Sequence, residues 1–567
     1  MLFRRRGLSR GALALAVVVL VVVAGGAVYY AFTSAAPSGP VGTITIDFSQ
    51  DKGAPGDPAT MVGGGPITGT AQNEVYEGLI AENYQGGIVP DLAVSWTQKS
   101  STDYVFDLRQ GVKFQDGTPF NASAVVFNFN RFLNTSSPRY AVVSTIGNVT
   151  AVSNYQVEIK LKQPTSDFFD RLTQYTGIAS PTAVKKYGSQ FGSVYAVGTG
   201  PYSFVDWVQN DHITLKANPN YWGPAPAIQT IVEKVVPDPT VRSLQLTAGQ
   251  AQIIELAPQE AKQLSTQQGF KVMTGLPNRA VMLSFNLNAA TTGCPAILNP
   301  LVRQAINYAI NRTALVKFLE LGYAQPAIGT IPPAYTSAWD TSVQVYPFNG
   351  DVTKAKQLLT QAGLPQGLKV TIETAPFTSD YVQVTEAVAQ QLQSAGINAT
   401  IKQVDFTTIA HDLLDPKADF CIGYQDWGGA PATATGALVP RYTGGNFWDI
   451  PHVNDSTLNG MLATLSTADA SQTRTLASRV QSYILQNAYD AVLFYPDVIH
   501  GVSNSVQNYK VHPSFWWGVM IFDPVIGADV RVAGTAASTV GYVGLPAALA
   551  YWLRPTRRQG RRANGAA

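Results

Sequence analysis

Few side chains in this sequence have the types and spacing that catalysis requires. The five histidines show no metal-ligand spacing such as H-x-x-x-H, so we expect no metal site. Gly7-Leu-Ser-Arg-Gly11 fits the nucleophile pattern G-x-S-x-G, but no strand is predicted before it, and we interpret the match as accidental. The sequence has neither a phosphate-binding loop nor a dinucleotide fingerprint. We therefore expect a protein that is not an enzyme and that holds no cofactor.

The composition indicates a multi-lobed globular protein. The chain has 567 residues, which exceeds what one hydrophobic core usually sustains, so two or more lobes are expected. Apolar residues make up 46% of the chain, and charged residues only 13%, against about 25% in a typical soluble protein. The net charge of +2 argues against a nucleic-acid-binding protein, which would carry a basic stripe.

The first 40 residues predict the compartment of the protein. Three arginines, Arg4 to Arg6, precede an uncharged apolar run from Ala12 to Phe32. The run is either a secretory signal or an uncleaved membrane anchor, since about 20 residues suffice to span a bilayer. Both alternatives place the main body outside the cytoplasm, because positive charge stays inside. The segment contains no cysteine, which excludes lipidation at a lipobox.

Cys294 and Cys421 are the two cysteines of the chain. They are too far apart in sequence for a metal knuckle, and in an exported protein such a pair indicates one disulfide. Two buried free thiols are the alternative.

The segment from Gly198 to Gly223 predicts a β-hairpin. Glycine and proline in Gly198-Thr-Gly-Pro201 start it, and strand-forming residues follow on either side of the polar turn Gln209-Asn-Asp211. Asn218-Pro-Asn220 then ends the second strand. Elsewhere, Asn121 and Asn299 stand where helix N-caps are expected.

The order of the residues in this hairpin resembles the G-T-G-P-Y…N-P-x-Y-W block of the peptide/nickel-type solute-binding proteins that serve ABC importers, extracellular solute-binding protein family 5. Four further segments resemble blocks of that family in the same order: 75–96, 104–118, 285–286 and 302–312. The resemblance covers roughly residues 41 to 525 and implies an α/β, periplasmic-binding-protein-like fold of two lobes joined by a hinge, plus a smaller third domain.

The resemblance also implies how the chain is divided. Residues 1–40 form the signal or anchor, and 71–177 form the small inserted domain. Lobe I comprises 41–70, 178–282 and 490–530, and lobe II comprises 283–489. Hinge segments are expected near 282–286 and 487–492. Residues 531–567 form a basic C-terminal tail whose uncharged stretch 532–553 is either a weak membrane span or a tail outside the bilayer.

By resemblance, the segment Gly423–Pro431 lines the ligand cleft. Trp427 aligns with the tryptophan of the family, but Ala430 occupies the position of the aspartate that binds the ammonium group of a peptide. Asp426 is the acidic residue nearest to it and takes over that role if it faces the cleft; the alternative is that it faces solvent, because alternation along an extended segment turns it away from the side of Trp427. We therefore expect a ligand that is neutral, anionic or blocked at its amine. The complete set of predicted substrate-binding residues is Trp427, Tyr424, Asp426, Gly428, Tyr140, Met61, Phe447 and Trp448.

The function implied by the resemblance is capture of a peptide-like or other small solute by hinge closure. The expected partners are the permease subunits of an ABC transporter and, through the N-terminal segment, the membrane; a monomer is expected. The alternative is a membrane-tethered solute receptor or peptide chaperone that does not transport its ligand.

Overall fold

The computed structural model describes residues 42–51, 53–60, 69–375, 379–428, 432–446, 448–512, 520–523 and 527–533. The predicted signal or anchor, residues 1–40, therefore lies outside the described residues. Of the stretch 532–553, predicted as a weak membrane span or a tail, only residues 532 and 533 are described. Met61, Phe447 and residues 429–431 of the predicted cleft segment also lie outside them. Within the described part of the chain, no helix combines the length and the apolar character needed to cross a membrane.

Helices and strands alternate along the described chain, which confirms the predicted α/β class. The strands of the first half are β1 Thr43–Phe48, β2 Ile80–Glu82, β3 Ile88–Pro90, β4 Ala93–Ser100, β5 Asp103–Leu108, β6 Ile146–Ser153, β7 Gln156–Leu161, β8 Tyr202–Val208, β9 His212–Ala217, β10 Thr230–Val235, β11 Ile253–Glu255, β12 Phe270–Gly275 and β13 Ala280–Phe285. Those of the second half are β14 Ala324–Pro326, β15 Leu368–Thr374, β16 Ile397–Gln403, β17 Ile422–Trp427, β18 Asp490–Pro496, β19 Val498–Ser503, β20 Val506–Gln507, β21 Phe522–Asp523, β22 Ala528–Asp529 and β23 Arg531–Val532.

The helices lie between these strands. They are α1 Gly69–Val75, α2 Ala122–Phe132, α3 Tyr140–Val143, α4 Phe168–Tyr175, α5 Pro181–Tyr187, α6 Pro239–Thr247, α7 Pro258–Leu264, α8 Pro300–Ala309, α9 Arg312–Phe318, α10 Val352–Gln361, α11 Ser379–Ser394, α12 Phe406–Leu414, α13 Ala434–Tyr442, α14 Ser456–Ser466 and α15 Ala470–Gln486. The predicted caps are confirmed: the Asn121 side chain accepts from the Ala124 amide at 3.1 Å, and Asn299 accepts from the Leu301 amide at 3.0 Å.

A seven-stranded mixed sheet forms the centre of the first lobe, in the order β12-β19-β11-β1-β10-β9-β8. Strand β1 runs parallel to β10 and β11, and the other neighbours are antiparallel. Apolar residues pack on this sheet, among them Ile44, Ile46 and Ile231 in one cluster and Ile254 and Leu264 in another. The predicted β8–β9 hairpin is confirmed.

A six-stranded mixed sheet forms the centre of the second lobe, in the order β14-β18-β13-β17-β15-β16. Every residue of β13 and β18 is buried, as expected for central strands with both faces covered. A third, four-stranded antiparallel sheet, β4-β5-β7-β6, packs under α2 around a separate apolar core that includes Phe106, Phe129 and Ile159.

The chain passes between the two large sheets at two short segments. The first is 276–279, between β12 and β13, and the second is Asp497, between β18 and β19. The hinge segments expected near 282–286 and 487–492 overlap β13 and β18, which are hydrogen-bonded to each other within the second sheet. The crossings therefore lie a few residues from the expected positions. The domain boundaries given above stay a prediction.

The motif residues 198–223 and 75–79 hold the first lobe and the small domain together. A Cβ atom on Gly198 would lie 2.1 Å from the carbonyl oxygen of Val75, so only glycine permits this close approach. The Glu77 carboxylate accepts from the Tyr221 hydroxyl at 2.7 Å and from the Trp222 indole at 2.8 Å. The guanidinium of Arg109 lies 4.2 Å from the centre of the Trp222 ring. These segments thus act as scaffold and do not contact the predicted site residues on β17.

Candidate functional site

Strand β17 carries three of the predicted site residues and is fixed at its start by a disulfide. Cys294 and Cys421 are bonded, with their Cα atoms 5.2 Å apart, which confirms the predicted pair. The bond joins the loop after β13 to the residue that precedes β17. Strand β17 pairs with β13 along its whole length and with β15 at its first two residues. The strand is therefore a rigid support for the residues at its far end.

Tyr424, a predicted ligand contact, lies inside the second lobe. It is 1% exposed and belongs to the apolar core of the six-stranded sheet. Its ring meets that of Tyr381 edge-on, with 4.7 Å between the ring centres. This packing gives Tyr424 a structural role in the described conformation.

Trp427 is held at the end of β17 by its polar edge. Its indole nitrogen donates a hydrogen bond to the Ala437 carbonyl on α13 at 2.7 Å. Its ring lies 6.1 Å from that of Trp448 and 5.6 Å from the guanidinium carbon of Arg441. Trp448 is 40% exposed. The two tryptophans that the sequence predicted as site residues therefore lie close together. Gly428, the residue after Trp427, is buried.

Asp426 forms an ion pair with the segment that crosses between the lobes. Its Oδ2 atom lies 3.5 Å from Nε of Arg279, in the crossing segment 276–279. Both side chains are partly exposed. The predicted site residue thus has a cationic partner within the protein.

A buried polar network lies behind Trp427, and sequence reasoning missed it. Arg441 and Asp490 form an ion pair at 2.7 Å with almost no exposure of either side chain. Arg441 also donates to the Ser284 hydroxyl at 2.6 Å, and Tyr442 donates to Asp490 at 2.5 Å. Burial and the Asp490 charge raise the pKa of Tyr442. The network joins α13 to β13 and β18, and no local sequence motif predicts it.

The start of α13 touches the small domain. The Thr435 hydroxyl donates to the carboxylate of Asp167, the residue before α4, in a short hydrogen bond. The Ala432 amide donates to Oε1 of Gln174 at 2.9 Å. Ser166 adds two hydrogen bonds to carbonyls at the end of α14, at 3.2 and 3.3 Å. Helix α4 therefore lies against the second lobe, and we call the contact region between them the cleft.

Asp170 lies on that helix and was also missed. Burial, together with the neighbouring charges of Glu82 and Asp167, raises its pKa to about 8. Tyr335 of the second lobe is buried near Tyr175 and Glu82, and burial raises its pKa.

Tyr140 lies at the start of the short helix α3. It is partly buried, and the ammonium of Lys162 lies 5.7 Å from its ring centre. Its neighbour Arg139 lies over the Tyr175 ring at 5.2 Å and donates to the Pro58 carbonyl at 3.2 Å. Tyr140 is thus adjacent in sequence to a residue that contacts the α4 wall.

A groove of about 440 Å³ lies along α15, lined by residues such as Asp340, Met461 and Arg474. None of the predicted site residues lines it. We place the candidate site at the cleft instead, because the cleft joins both lobes and the groove belongs to one.

The chain matches the family model described as bacterial extracellular solute-binding proteins, family 5, over residues 87–449. It is 37% identical to the glutathione-binding protein GsiB of Escherichia coli K12 over 303 residues, which are 52% of this chain and 57% of that relative. The GsiB protein of Shigella flexneri matches to the same extent. The alignment thus spans little more than half the length of these relatives.

Solved structures match over a larger part of the chain. DppA from Helicobacter pylori with the peptide STSA superposes with a TM-score of 0.72 and 23% identity, covering 87% of this chain and 99% of DppA. CtaP from Listeria monocytogenes gives a TM-score of 0.76 at 19% identity, with 87% and 99% covered. NikA from Staphylococcus aureus with Ni(L-His)2 gives 0.69 at 19% identity, with 86% and 99% covered. At these identities the likeness shows the fold, and it confirms the predicted periplasmic-binding-protein-like architecture.

Proposed function

Because the chain belongs to the bacterial extracellular solute-binding proteins of family 5, we propose that it is the solute-binding component of an ABC importer. In this role it captures a small, peptide-like solute outside the membrane and performs no chemistry on it. The observation that carries the proposal is the contact between α4 and the start of α13, which brings the two walls of the cleft together.

The two crossing segments suit closure of the cleft. Segment 276–279 and Asp497 are short, so rotation about a few backbone dihedrals there moves one lobe against the other. Each lobe has its own sheet and core and can move as a body. The Thr435–Asp167 and Ala432–Gln174 hydrogen bonds link the small domain to the second lobe, and they stabilise the conformation in which these two parts are in contact. Closure removes water from the ligand and strengthens each polar contact with it.

Aromatic surface at the end of β17 supports a peptide-like ligand. Trp448 is partly exposed beside Trp427, and such rings supply contact area with little loss of side-chain entropy. GsiB is a glutathione-binding protein and the DppA structure contains a peptide, which makes peptides the first ligands to test.

The partner in this proposal is the permease of an ABC transporter. DppA of Helicobacter pylori is an ABC transporter-associated periplasmic binding protein, and its fold matches 87% of this chain. The similarity supports import over the alternative of a tethered receptor without transport.

Calorimetric titration of the purified chain tests the proposal. Glutathione, the peptide Ser-Thr-Ser-Ala and the nickel–histidine complex are the three probes, chosen from the ligands of similar proteins. Saturable 1:1 binding of a peptide is expected. Absence of binding by all three, together with native mass spectrometry that detects no co-purified small molecule, would contradict the proposal.

A further inference from the structure

Two tyrosine rings are stacked on the surface of the first lobe. Tyr187 lies at the end of α5 and Tyr195 in the loop that follows, and their ring centres are 3.8 Å apart with 12° between the ring planes. Tyr195 is 40% exposed, and its neighbour Val194 is 51% exposed. Apolar surface of this kind, rimmed by polar residues, marks an interaction site more often than a solvated surface.

The loop that carries Tyr195 is fixed from below. Phe191 is 5% exposed and packs in the apolar core of the first lobe. The carbonyl of Gly192 accepts from the Gly56 amide at 3.0 Å, and its amide donates to the Tyr195 carbonyl at 2.7 Å. The loop therefore holds Val194 and Tyr195 at the surface in one arrangement, and a partner meets a preformed contact area.

Two lysines flank the stacked rings. The ammonium of Lys186 lies 4.9 Å from the centre of the Tyr187 ring, and that of Lys185 lies 5.4 Å from the centre of the Phe127 ring on α2. Both lysine side chains are exposed. We call the surface formed by these residues the tyrosine patch: Phe127, Lys185, Lys186, Tyr187, Val194 and Tyr195.

No acidic side chain among the described residues pairs with Lys185 or Lys186. Asp57 lies beside the loop, against Gly192, but it forms an ion pair with Arg131, whose guanidinium lies 5.8 Å from the Phe127 ring centre. The tyrosine patch therefore carries a net positive charge, and it complements a partner that is anionic.

Both ends of the described chain leave from the lobe that carries the tyrosine patch. Ile44 near the first end, Val530 near the second and Tyr187 all pack on the same apolar cluster. In the sequence, an uncharged apolar run next to arginines lies beyond each end, at 12–32 and at 532–553. Nine residues separate the first run from Gly42, and they span at most about 30 Å. Membrane association of that run, one of its two predicted roles, therefore places this lobe beside the bilayer.

We propose that the tyrosine patch is a docking surface for the anionic headgroups of a lipid bilayer. Tyrosine rings are typical of the boundary between headgroups and acyl chains, where the ring is apolar and the hydroxyl stays in water. Lysine side chains extend along such rings and place their ammonium groups at lipid phosphates. The inference goes beyond the proposed function, because it concerns how the first lobe lies on the membrane and does not involve a captured solute.

Hydrogen exchange of the full chain on two kinds of lipid vesicle tests the inference. One kind contains phosphatidylcholine alone, and the other contains about 30% phosphatidylglycerol in addition. The readout is the exchange rate of residues 181–196 in protein recovered with the vesicles by flotation. A local readout is needed because the arginines at the two ends of the chain also attract anionic lipid.

Two double variants separate the tyrosine patch from general charge. Lys185→Gln with Lys186→Gln removes its two cations. Lys99→Gln with Lys160→Gln makes the same change of charge on the small domain, where both side chains are about half exposed and pair with Glu158.

Anionic vesicles are expected to slow exchange at 181–196 at least about threefold in wild type and in the Lys99, Lys160 variant, and about 0.5 M salt is expected to abolish the effect. Neutral vesicles, and the Lys185, Lys186 variant on either kind of vesicle, are expected to show no slowing.

Three results would overturn the inference: unchanged exchange at 181–196 with anionic vesicles, equal slowing by both kinds of vesicle, or full slowing in the Lys185, Lys186 variant. Slowing by bacterial membranes but by neither lipid vesicle would assign the tyrosine patch to a membrane protein and would also overturn it. The wild-type comparison decides the question even where a variant fails to fold. Solute binding is measured separately by calorimetry, so each of these results leaves the proposed function standing.

Discussion

The carboxylate of Asp426 lies 3.5 Å from the guanidinium of Arg279, so the last acidic residue of β17 is paired with the segment that joins the two lobes. Asp426 was the one acidic side chain in the predicted cleft segment, and the structure gives it a partner within the protein. The sequence left two roles open for it, ammonium binding or none. The ion pair with Arg279 favours the alternative in which Asp426 does not bind the ligand.

Asp426→Asn should therefore change ligand selection little. The pair is partly exposed, so its loss should lower the free energy of unfolding by less than about 1 kcal/mol. The affinity for a bound peptide should stay close to that of wild type. Denaturant titration and calorimetry measure the two effects. A tenfold loss of peptide affinity in this variant would place a ligand contact at Asp426 on β17.

Trp427→Ala should weaken both ligand binding and the fold. The indole supplies aromatic surface beside Trp448, and its nitrogen also donates to the Ala437 carbonyl. Because the side chain is only partly buried, we expect a loss of about 2 kcal/mol in stability, below the 3–5 kcal/mol of fully buried aromatic residues. Trp207→Ala is the matched control, because its partly buried ring lies on β8 in the first lobe and its indole nitrogen also donates a hydrogen bond, to Asp51 at 3.0 Å. Normal ligand affinity in Trp427→Ala, measured by calorimetry, would show that the cleft does not use this ring.

Removal of the disulfide should cost more stability than any single surface change. Cys294 and Cys421 are 127 residues apart, and closing a loop of that length stabilises by about 5 kcal/mol in the chain-entropy model. The Cys294→Ser, Cys421→Ser double variant should shift the denaturant midpoint accordingly, and reductant should shift the wild type but not this variant. A reductant-independent wild-type midpoint would contradict the prediction.

Asp47→Asn should stabilise the protein at neutral pH. Asp47 is fully buried in β1 without a hydrogen-bond partner among the described residues, and burial raises its pKa to about 6 despite the charges of Lys234 and Arg242. The folded state thus holds the proton more tightly than the unfolded state, so stability is lost as pH rises from about 4 to 6. We expect Asp47→Asn to gain roughly 1–3 kcal/mol at pH 7.5 and progressively less towards pH 4. A pH-independent difference in unfolding free energy would contradict this explanation.

The sequence predicted local elements better than long-range polar contacts. The β8–β9 hairpin, the Asn121 and Asn299 caps and the disulfide follow from turn chemistry, capping preference and cysteine pairing, all of which are readable in short windows. Tyr424 was predicted at the ligand because it adjoins Trp427, yet it packs in the core against Tyr381. Alternation along a strand shows which residues share one face of the sheet, but it does not show which face is covered by the rest of the protein.

Contacts between residues that are far apart in sequence could not be predicted from local sequence patterns. Asp167 and Gln174 hydrogen-bond to Thr435 and Ala432, which lie more than 250 residues further along the chain. Arg441 pairs with Asp490, which is 49 residues further along the chain. The sequence next to Arg441 gives no hint of this pair, because Pro440 is a residue that usually predicts the end of a helix, yet it lies inside α13. Tertiary contacts of this kind lie beyond a reading of local periodicity.

Hydrogen exchange of the full chain with and without a tryptic digest of casein tests the central claim, that a solute is held between the two lobes. The account predicts that bound peptide slows exchange in α4 and at the start of α13 together, on opposite walls of the cleft, with smaller changes at 276–279. The groove along α15 serves as the internal reference and should not change. Slower exchange confined to one lobe, or centred on α15, would contradict the account.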